Sequence, residues 1–381
     1  MPPAATFVCH ASGERRGFNV QITLDQKLQQ KAYDLLASKG YRGCLVGIEP
    51  ATGQILFAAS SPAPTGLQEW LASYNGRYDR SSDLAWAKAP PSVYRSWYEP
   101  GSTFKTMTAA AALENGTVRL GLHFNCADGY FPPGGGEIND HDMVSHGEIS
   151  LSRAMAVSCN QTFAQVGVDL GWKRFWNYST AAGLSTSWSL LPPAWRPGRT
   201  TFWPETLAGQ LTAHNLNPGL RTVDAGLARS AIGQQDVRVT PLYLAAWAGA
   251  IANGGKFMPP SLVTNVTDQL GRIVASAPPA EGIRVMQSST ARTLTAMMER
   301  VVTDKRGTGK AAQVEGIRVA AKTGTPQLGV RGAGGRNNAL FIAFAPAEKP
   351  RVAIAVVIEG VSNGGATGGP LAAEMIRAVC E

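Results

Sequence analysis

A proline-glycine break followed at once by an alanine-rich apolar run constrains this chain more than any other feature. The segment reads Tyr98-Glu99-Pro100-Gly101-Ser102-Thr103-Phe104-Lys105 and continues as Thr106-Met107-Thr108-Ala109-Ala110-Ala111-Ala112-Leu113. Because Pro and Gly interrupt regular structure just before this run, a helix is predicted to begin at or just before Ser102. Positions i and i+3 of a helix share a face, so the Ser102 hydroxyl and the Lys105 amine are expected to meet.

A serine beside a lysine on one helix face can act as a nucleophile, because a neutral lysine is able to take the hydroxyl proton. Lysine becomes neutral only where its surroundings depress its pKa, and the apolar helix around Lys105 is such a place. On its own, however, the pattern Ser-x-x-Lys arises by chance in chains of this length. The same residues are equally consistent with Ser102 as a plain N-cap and Lys105 as a solvated helix residue.

Composition describes an ordinary globular protein with ample core. The 381 residues are 44% apolar and 16% charged, enough for one large domain or two ordinary ones. The 42 glycines and 24 prolines predict many turns and loops. A formal charge of +8 favours anionic surroundings such as a membrane surface or an acidic polymer. The basic residues are scattered, so no nucleic-acid-binding patch is predicted.

Cysteine spacing and hydropathy exclude several classes of protein. The five cysteines are odd in number, widely spaced and without a Cys-x-x-Cys pair, so neither a disulfide scaffold nor a zinc site is expected. The chain contains no apolar stretch long enough for a transmembrane helix, and its first residues show no apolar signal-peptide core. We therefore expect a protein that is soluble as it stands, or one whose membrane anchor lies outside this chain.

Hydrophobic periodicity predicts an α+β fold in which helices pack on an antiparallel sheet. Residues 1–17 are expected to be a linker or the remnant of an N-terminal region, and residues 18–381 one domain. The predicted helices cover residues 23–38, 242–253, 288–302 and 370–380, with an amphipathic segment at 150–171 that is interrupted near 158–160. The predicted strands cover residues 43–48 and 54–59, joined as a hairpin, and 316–325, 339–345 and 352–359. Residues 184–220 are interpreted as a long surface excursion.

Residues 116–148 are interpreted as a loop that contains several potential metal ligands. These are His123, Asp128, Asp140, His141, Asp142 and His146. Mixed ligands without a fixed helical spacing are more often solvated surface than a metal site. No metal is therefore expected.

Three features along the chain carry a specific chemistry when taken together. Ser102-x-x-Lys105 is followed by Ser158-Cys159-Asn160 and then by Lys322-Thr323-Gly324-Thr325. This ordered triple is found in penicillin-binding proteins and class A β-lactamases. The chain resembles the transpeptidase domain of a monofunctional, class B-like high-molecular-weight penicillin-binding protein from about Gly17 onward. Further segments that carry the resemblance are Gly53-Gln54-Ile55-Leu56, His146-Gly147, Ile232-Gly233-Gln234, Thr240-Pro241-Leu242, Ala252-Asn253-Gly254-Gly255, Gly307-Thr308-Gly309 and Gln327.

The resemblance implies a fold and a set of catalytic residues. The fold is that of penicillin-binding proteins and serine β-lactamases, with a central antiparallel sheet flanked by helices and an all-helical subdomain. Ser102 would attack a carbonyl while Lys105 accepts its proton. Ser158 would pass a proton toward the leaving amine, and Asn160 would hold both Lys105 and the substrate amide. No cofactor and no metal are implied.

The third motif is implied to bind substrate along an edge strand. Lys322 would supply positive charge for a substrate carboxylate, and Thr323 and Thr325 would supply hydroxyl and backbone donors. Gly324 would leave room for the acyl group, and the backbone N–H groups of Ser102 and Thr325 would form the oxyanion hole. Four further polar residues are expected to line the cleft or its surroundings, namely Arg95, Asp236, Thr308 and Lys310.

The implied activity is that of a peptidoglycan D,D-transpeptidase that cross-links stem peptides through a serine acyl-enzyme and is acylated by β-lactam antibiotics. Its implied location is extracytoplasmic, in the periplasm or on the outer face of the inner membrane. A membrane glycan polymerase is an implied partner, and nucleic acid is not. Two departures from the family pattern are Ala321, where glycine is common, and Pro326, where a small residue is common.

Three alternative functions follow from the same motifs. A β-lactamase would need a glutamate within Glu-x-x-x-Asn after the second motif, and Glu205 with its following residues does not fit that pattern. The 164 residues between Ser158 and Lys322 are also too many for a compact β-lactamase. A D,D-carboxypeptidase or a penicillin-binding sensor module stays open, because the sequence does not reveal the rim of the cleft.

Overall fold

The computed structural model describes residues 18–63, 93–140, 144–192, 205–211, 222–235, 237–326, 337–361 and 363–381. The linker expected at 1–17 lies outside these residues, as do His141, Asp142, Asp236 and Gln327. Much of the excursion expected at 184–220 also lies outside them.

A five-stranded antiparallel sheet forms the centre of the structure, in the order β12-β13-β14-β2-β3. Numbered along the chain, the strands are β1 Asn19–Ile22, β2 Gly43–Ile48, β3 Ile55–Ser61, β4 His123–Cys126, β5 Gly147–Ser150, β6 Gln210–Leu211, β7 Val237–Arg238, β8 Lys256–Phe257, β9 Val263–Thr267, β10 Ile273–Ser276, β11 Ile283–Arg284, β12 Ala320–Gly324, β13 Ala339–Ala345 and β14 Val352–Ile358. The predicted hairpin of β2 with β3 is confirmed, as are the three strands at the end of the chain.

Nine α-helices surround the sheet in the described part of the chain. They are α1 Gln26–Ala37, α2 Lys105–Glu114, α3 Leu151–Val157, α4 Asn160–Leu170, α5 Trp172–Ala181, α6 Val223–Ala231, α7 Pro241–Ala252, α8 Ser288–Thr303 and α9 Gly364–Cys380. Side chains set several of their starts. Asp25 accepts hydrogen bonds from the first backbone N–H groups of α1, and Thr240 caps α7 ahead of Pro241 at its first position.

Both faces of the central sheet are covered, so four of its strands are buried throughout and alternate residues of the edge strand β3 are half-buried. Along β14, Val352, Ile354 and Val356 join the core on the side of α1 and α9. The alternate residues Ala353 and Ala355 join the larger core that includes α7. This alternation follows from the two-residue period of a strand. Because both alternating sets of side chains lie in a core, β13 and β14 are continuous apolar runs in the sequence.

Helices α2 to α6 form a helical region beside the sheet, which agrees with the expected all-helical subdomain. Within it α2 packs on α4, and α4 packs on α6. The prediction of a loop over 116–148 is wrong in part, because β4 pairs with β5 as a short antiparallel hairpin. Phe124 and Cys126 point into the core from β4, but alternation over four residues was too brief to separate a strand from a loop.

Two predicted boundaries also need correction. The third strand from the end is confined to β12, whereas the prediction covered residues 316–325. The last helix starts at Gly364, capped by the side chain of Asn363, rather than near Pro370. The described helices include none that is both long and apolar enough to cross a membrane.

Candidate active site

Ser102 lies in a tight 3₁₀ turn, Gly101–Phe104, that leads directly into α2. Gly101 has a φ of +52°, and its N–H donates to the carbonyl of Gly233 at 2.8 Å. A Cβ at Gly233 would lie 2.0 Å from the Gly101 oxygen, so glycine is required there for the two segments to meet.

The interpretation of Ser102 as a plain N-cap is wrong. Thr103, and not Ser102, bonds back within the turn, since its hydroxyl donates to the Pro100 carbonyl at 2.7 Å. Among the described residues the Ser102 hydroxyl makes no hydrogen bond, and its residue is half-buried. The contact with the Lys105 amine that the sequence predicts is therefore not a hydrogen bond in this structure, since Lys105 donates to Ser158 and Asn160.

Lys105 is the first residue of α2 and is 0% exposed, so the interpretation as a solvated lysine is also wrong. Its Nζ donates to the carbonyl of Ser158 at 2.6 Å, to Asn160 Oδ1 at 2.7 Å and to Ser158 Oγ at 3.3 Å. Burial lowers the pKa of Lys105 from 10.5 to about 8, although the negative charge of Asp140 opposes that fall. A substantial fraction of this amine is neutral near physiological pH.

Ser158 ends α3 in the left-handed conformation, with φ 60° and ψ 39°. This break explains the interruption that the sequence predicts near 158–160. The N–H groups of Ser158 and Cys159 turn back to the carbonyls of Met155 and Ala154, which closes the helix end. Holding a serine in this conformation costs about 1–2 kcal/mol. The turn places the Ser158 hydroxyl between two lysines.

The second lysine is Lys322, which β12 carries and which is also 0% exposed. Its Nζ donates to Ser158 Oγ at 2.8 Å and to the Thr323 carbonyl at 3.0 Å. Burial lowers the pKa of Lys322 well below its ordinary value, and the charge of Lys105 lowers it further. Two buried ammonium groups around one hydroxyl repel each other, which favours a state with one neutral amine. Such a hydroxyl can relay a proton between them.

Strand β12 lies directly against the Ser102 turn. A Cβ at Gly324 would lie 2.8 Å from the Pro100 carbonyl oxygen, so a larger residue would push the strand away from that turn. The Thr325 hydroxyl accepts from the N–H of Gly364 at 3.2 Å, and the Thr323 hydroxyl pairs with that of Thr308 at 2.8 Å. Thr308 therefore belongs to the surroundings of the motif, as expected.

Of the other residues expected near the cleft, Asp236 lies outside the described residues. Arg95 is half-buried in the segment before the Ser102 turn. The Lys310 ammonium donates to the carbonyl of Lys305 in an exposed loop. The described residues also contain no group of three or more His, Cys, Asp or Glu side chains that could hold a metal ion.

Sequence reasoning missed Asp140, because it was grouped with residues interpreted as solvated surface. Asp140 is 3% exposed and accepts hydrogen bonds from the backbone N–H of Asn160 and from Gln161 Nε2. Its contacts join chain segments 20 residues apart without any periodic pattern. The only usable indication was that Asp140 closely follows the apolar Ile138.

The thiols of Cys126 and Cys159 also come together beside this carboxylate. Their sulfur atoms are 3.2 Å apart, and both residues are buried free cysteines. Cys159 also donates to Asp140 Oδ2 at 3.2 Å. Their separation of 33 residues in the chain hides this contact from sequence analysis.

Comparisons with known proteins show what the chain as a whole is similar to. The family model described as the penicillin binding protein transpeptidase domain matches residues 43–381. Peptidoglycan D,D-transpeptidase PbpA of Mycobacterium tuberculosis is 32% identical, over 96% of this chain and 72% of that protein. Peptidoglycan D,D-transpeptidase MrdA of Acinetobacter baumannii is 29% identical, over 92% of this chain and 52% of that protein. The ceftriaxone acyl-enzyme complex of penicillin-binding protein A from M. tuberculosis superposes with a TM-score of 0.77 at 27% identity, covering 96% of this chain and 81% of that one.

Proposed function

The chain belongs to the family of penicillin-binding-protein transpeptidase domains, and on that premise we propose that it is a peptidoglycan D,D-transpeptidase. It cross-links stem peptides through an acyl-enzyme on Ser102, and β-lactams acylate the same serine. The observation that carries the proposal is the meeting of Lys105, Ser158 and Lys322 within hydrogen-bond distance, with Ser102 in the turn that leads directly into the helix of Lys105. We assign residues 18–381 to this single transpeptidase domain.

Acylation begins with neutral Lys105 as the general base. Two strong acceptors, the Ser158 carbonyl and Asn160 Oδ1, hold two of its N–H bonds at 2.6 and 2.7 Å. The lone pair that remains takes the proton of Ser102, whose oxygen then attacks the carbonyl of the penultimate D-alanine. The developing oxyanion is stabilised by the backbone N–H groups of Ser102 and Thr325.

Collapse of the tetrahedral intermediate breaks the peptide C–N bond and needs a proton on the leaving amine. The Ser158 hydroxyl lies between the two lysines, so it donates this proton and is reprotonated from Lys105. Terminal D-alanine then leaves. An amine from a neighbouring strand attacks the ester by the same steps in reverse. Its proton passes through the Ser158 hydroxyl to Lys105, and Lys105 returns a proton to the Ser102 oxygen as the ester C–O bond breaks. Lys322 donates to the Ser158 hydroxyl from the side of β12, and Thr323 and Thr325 bind the substrate carboxylate.

β-Lactams follow the same first step with a different outcome. Their ring opens on attack by Ser102, but the leaving group stays attached to the acyl-enzyme and cannot diffuse away. Since stem peptides lie outside the cytoplasm, the chain works on the extracytoplasmic side of the membrane. A glycan polymerase in that membrane is the partner that would supply its strands.

Labelling with a fluorescent penicillin tests the nucleophile. The protein is expected to form a stable one-to-one adduct that mass spectrometry locates on Ser102. Ser102→Ala should abolish it, and labelling that persists in this variant would show that the nucleophile is another residue. Rapid loss of the adduct, within seconds rather than many minutes, would instead indicate a β-lactamase.

A donor peptide ending in D-Ala-D-Ala, incubated with a second D-amino acid, tests the acceptor. A transpeptidase forms the exchanged peptide, whereas a D,D-carboxypeptidase forms only the shortened one. A sensor module would label with penicillin and form neither product.

A further inference from the structure

Asp140 is a buried carboxylate that the proposed mechanism leaves without a role. It lies just after Ile138, whose backbone pairs with Tyr130, and is 3% exposed. Its Oδ1 accepts from the backbone N–H of Asn160, and its Oδ2 accepts from Gln161 Nε2 at 3.1 Å and Cys159 Sγ at 3.2 Å. One carboxylate thus contacts three consecutive residues, 159–161, at the start of α4.

These contacts fix the part of the second motif that touches Lys105. The Asn160 side chain donates through Nδ2 to the Asn139 carbonyl at 2.8 Å, so its Oδ1 must face Lys105 Nζ at 2.7 Å. The neighbours Asn139 and Asp140 therefore hold both the side chain and the backbone of Asn160. A carboxylate is also favourable at this position because it faces the positive end of the α4 dipole.

Asp140 also acts on Lys105 through its charge. Burial disfavours positive charge on Lys105, and Asp140 favours it. Three other titratable groups face Asp140: Cys159, Cys126 behind it, and His146, whose Nε2 lies 3.7 Å from Oδ2. Burial lowers the pKa of His146 below 6.5, with further lowering from Arg153, Arg306 and Lys105, so this imidazole stays neutral where Lys105 titrates.

We propose that Asp140 is a positioning residue for acyl transfer, which holds Asn160 against Lys105 and supplies the buried negative charge that balances the Lys105 ammonium. This inference rests on the proposed function, because Lys105 must be the base for the balance to matter. It assigns a role outside the three sequence motifs. A helix cap with a purely structural role would also hold Asn160 against Lys105, but its charge would have no effect on the Lys105 ammonium.

The test is the pH dependence of the acylation rate, measured with a fluorescent penicillin between pH 5.5 and 9.5. Asp140→Asn removes the charge at nearly constant volume, and its amide cannot accept from all three donors. We expect its plateau rate to fall roughly tenfold. Since loss of a nearby opposite charge favours neutral Lys105, the acid limb should move to lower pH by about half a unit or more.

Two control variants separate charge from structure. Asp140→Glu keeps the charge but displaces the carboxylate by one methylene, so its plateau should fall while its acid limb stays at the wild-type pH. Asp169→Asn removes a carboxylate from the far end of the same helix and should match the wild type in both quantities. Circular dichroism and thermal unfolding establish that each variant is folded.

An unshifted acid limb in Asp140→Asn would overturn the proposal, even if the rate fell, because a cap alone predicts that result. If Asp140→Asn does not fold, Asp140→Glu decides: a plateau equal to the wild type would overturn the proposal. Failure of the proposed function is recognised separately, since the wild type itself would then form no adduct on Ser102.

Discussion

At the scale of single residues, the proposed mechanism makes the pKa of Lys105 determine the pH at which Ser102 reacts. Burial lowers its pKa to about 8, so roughly a quarter of the amine is neutral at pH 7.5, against about one part in a thousand for an ordinary lysine. Lys105 must be neutral to accept the Ser102 proton, and its neutral fraction increases with pH. The acylation rate should therefore rise with pH through a midpoint near 8. Stopped-flow measurement with a fluorescent penicillin checks this. A rate that is flat from pH 6 to 9 would exclude Lys105 as the base.

Lys105→Arg is the matched variant, because guanidinium keeps the charge but does not lose its proton in this range. We expect a loss of about 10² to 10⁴ in acylation rate, without the rise through pH 8. A variant that retained the wild-type profile would assign the titration to another group.

Ser158 combines a strained backbone with a hydroxyl between two lysines, and two substitutions separate these properties. Ser158→Gly and Ser158→Ala both remove the hydroxyl, so both should lower the acylation rate to a similar degree. Only glycine relieves the left-handed conformation at φ 60°, so Ser158→Gly should be more stable than Ser158→Ala by about 1 kcal/mol. Denaturant unfolding measures the difference. Equal stabilities would mean that the turn stores no such strain.

Residue patterns predicted the members of the three motifs but not the side chains that hold them. The burial of Lys105 is confirmed, and it followed from the apolar run after the motif. Asp140 could not be found in this way, because its partners at 159–161 are distant in the chain and share no helical or strand period with it. Contacts of this kind are set by tertiary packing.

Helix α9 shows, at the scale of elements, how packing overrides local propensity. Its first turns contain Gly364, Gly365, Gly368 and Gly369, followed by Pro370, a composition that argues against a helix. The glycines are there because the helix lies close on the sheet: a Cβ at Gly364 would be 2.1 Å from the Gly324 oxygen, beside the third motif. The sequence therefore predicted only the later, better helix-forming part.

The substitution Gly368→Ala tests helix propensity against the close packing of α9 on the sheet. Alanine gains about 1 kcal/mol of helix propensity, but its Cβ would lie 2.6 Å from Phe341 Cβ, which is fixed to the backbone of β13. Overpacking of this kind costs about 1–3 kcal/mol, and we expect a net loss of stability in chemical denaturation. Gly136→Ala is the control, since an added Cβ there meets nothing within 4 Å. A stabilised Gly368→Ala variant would show that α9 can move away from the sheet.

At the scale of the whole molecule, one buried threonine joins the larger core to the Ser102 turn. Thr106, the second residue of α2, accepts from the indole N–H of Trp247 in α7 at 2.9 Å. Its hydroxyl donates in turn to the carbonyl of Thr103 at 2.8 Å, within the Ser102 turn. Helix α7 packs on β14 of the central sheet, so this relay connects the sheet to the nucleophile.

Thr106→Val removes the relay while keeping the volume of the side chain. The buried indole N–H of Trp247 then has no acceptor, which should cost about 1–3 kcal/mol, whereas the Thr103 carbonyl still accepts from the backbone N–H of Lys105. Thr106→Ser keeps both hydrogen bonds and loses only a methyl group, worth about 0.8 kcal/mol. We therefore expect the valine variant to unfold at lower denaturant concentration than the serine variant. Because these hydrogen bonds link the helix packed on the central sheet to the Ser102 turn, acylation and the far-ultraviolet circular dichroism signal should be lost at the same denaturant concentration in each variant. Loss of acylation well before the loss of helical signal would mean that the Ser102 turn unfolds independently of the sheet.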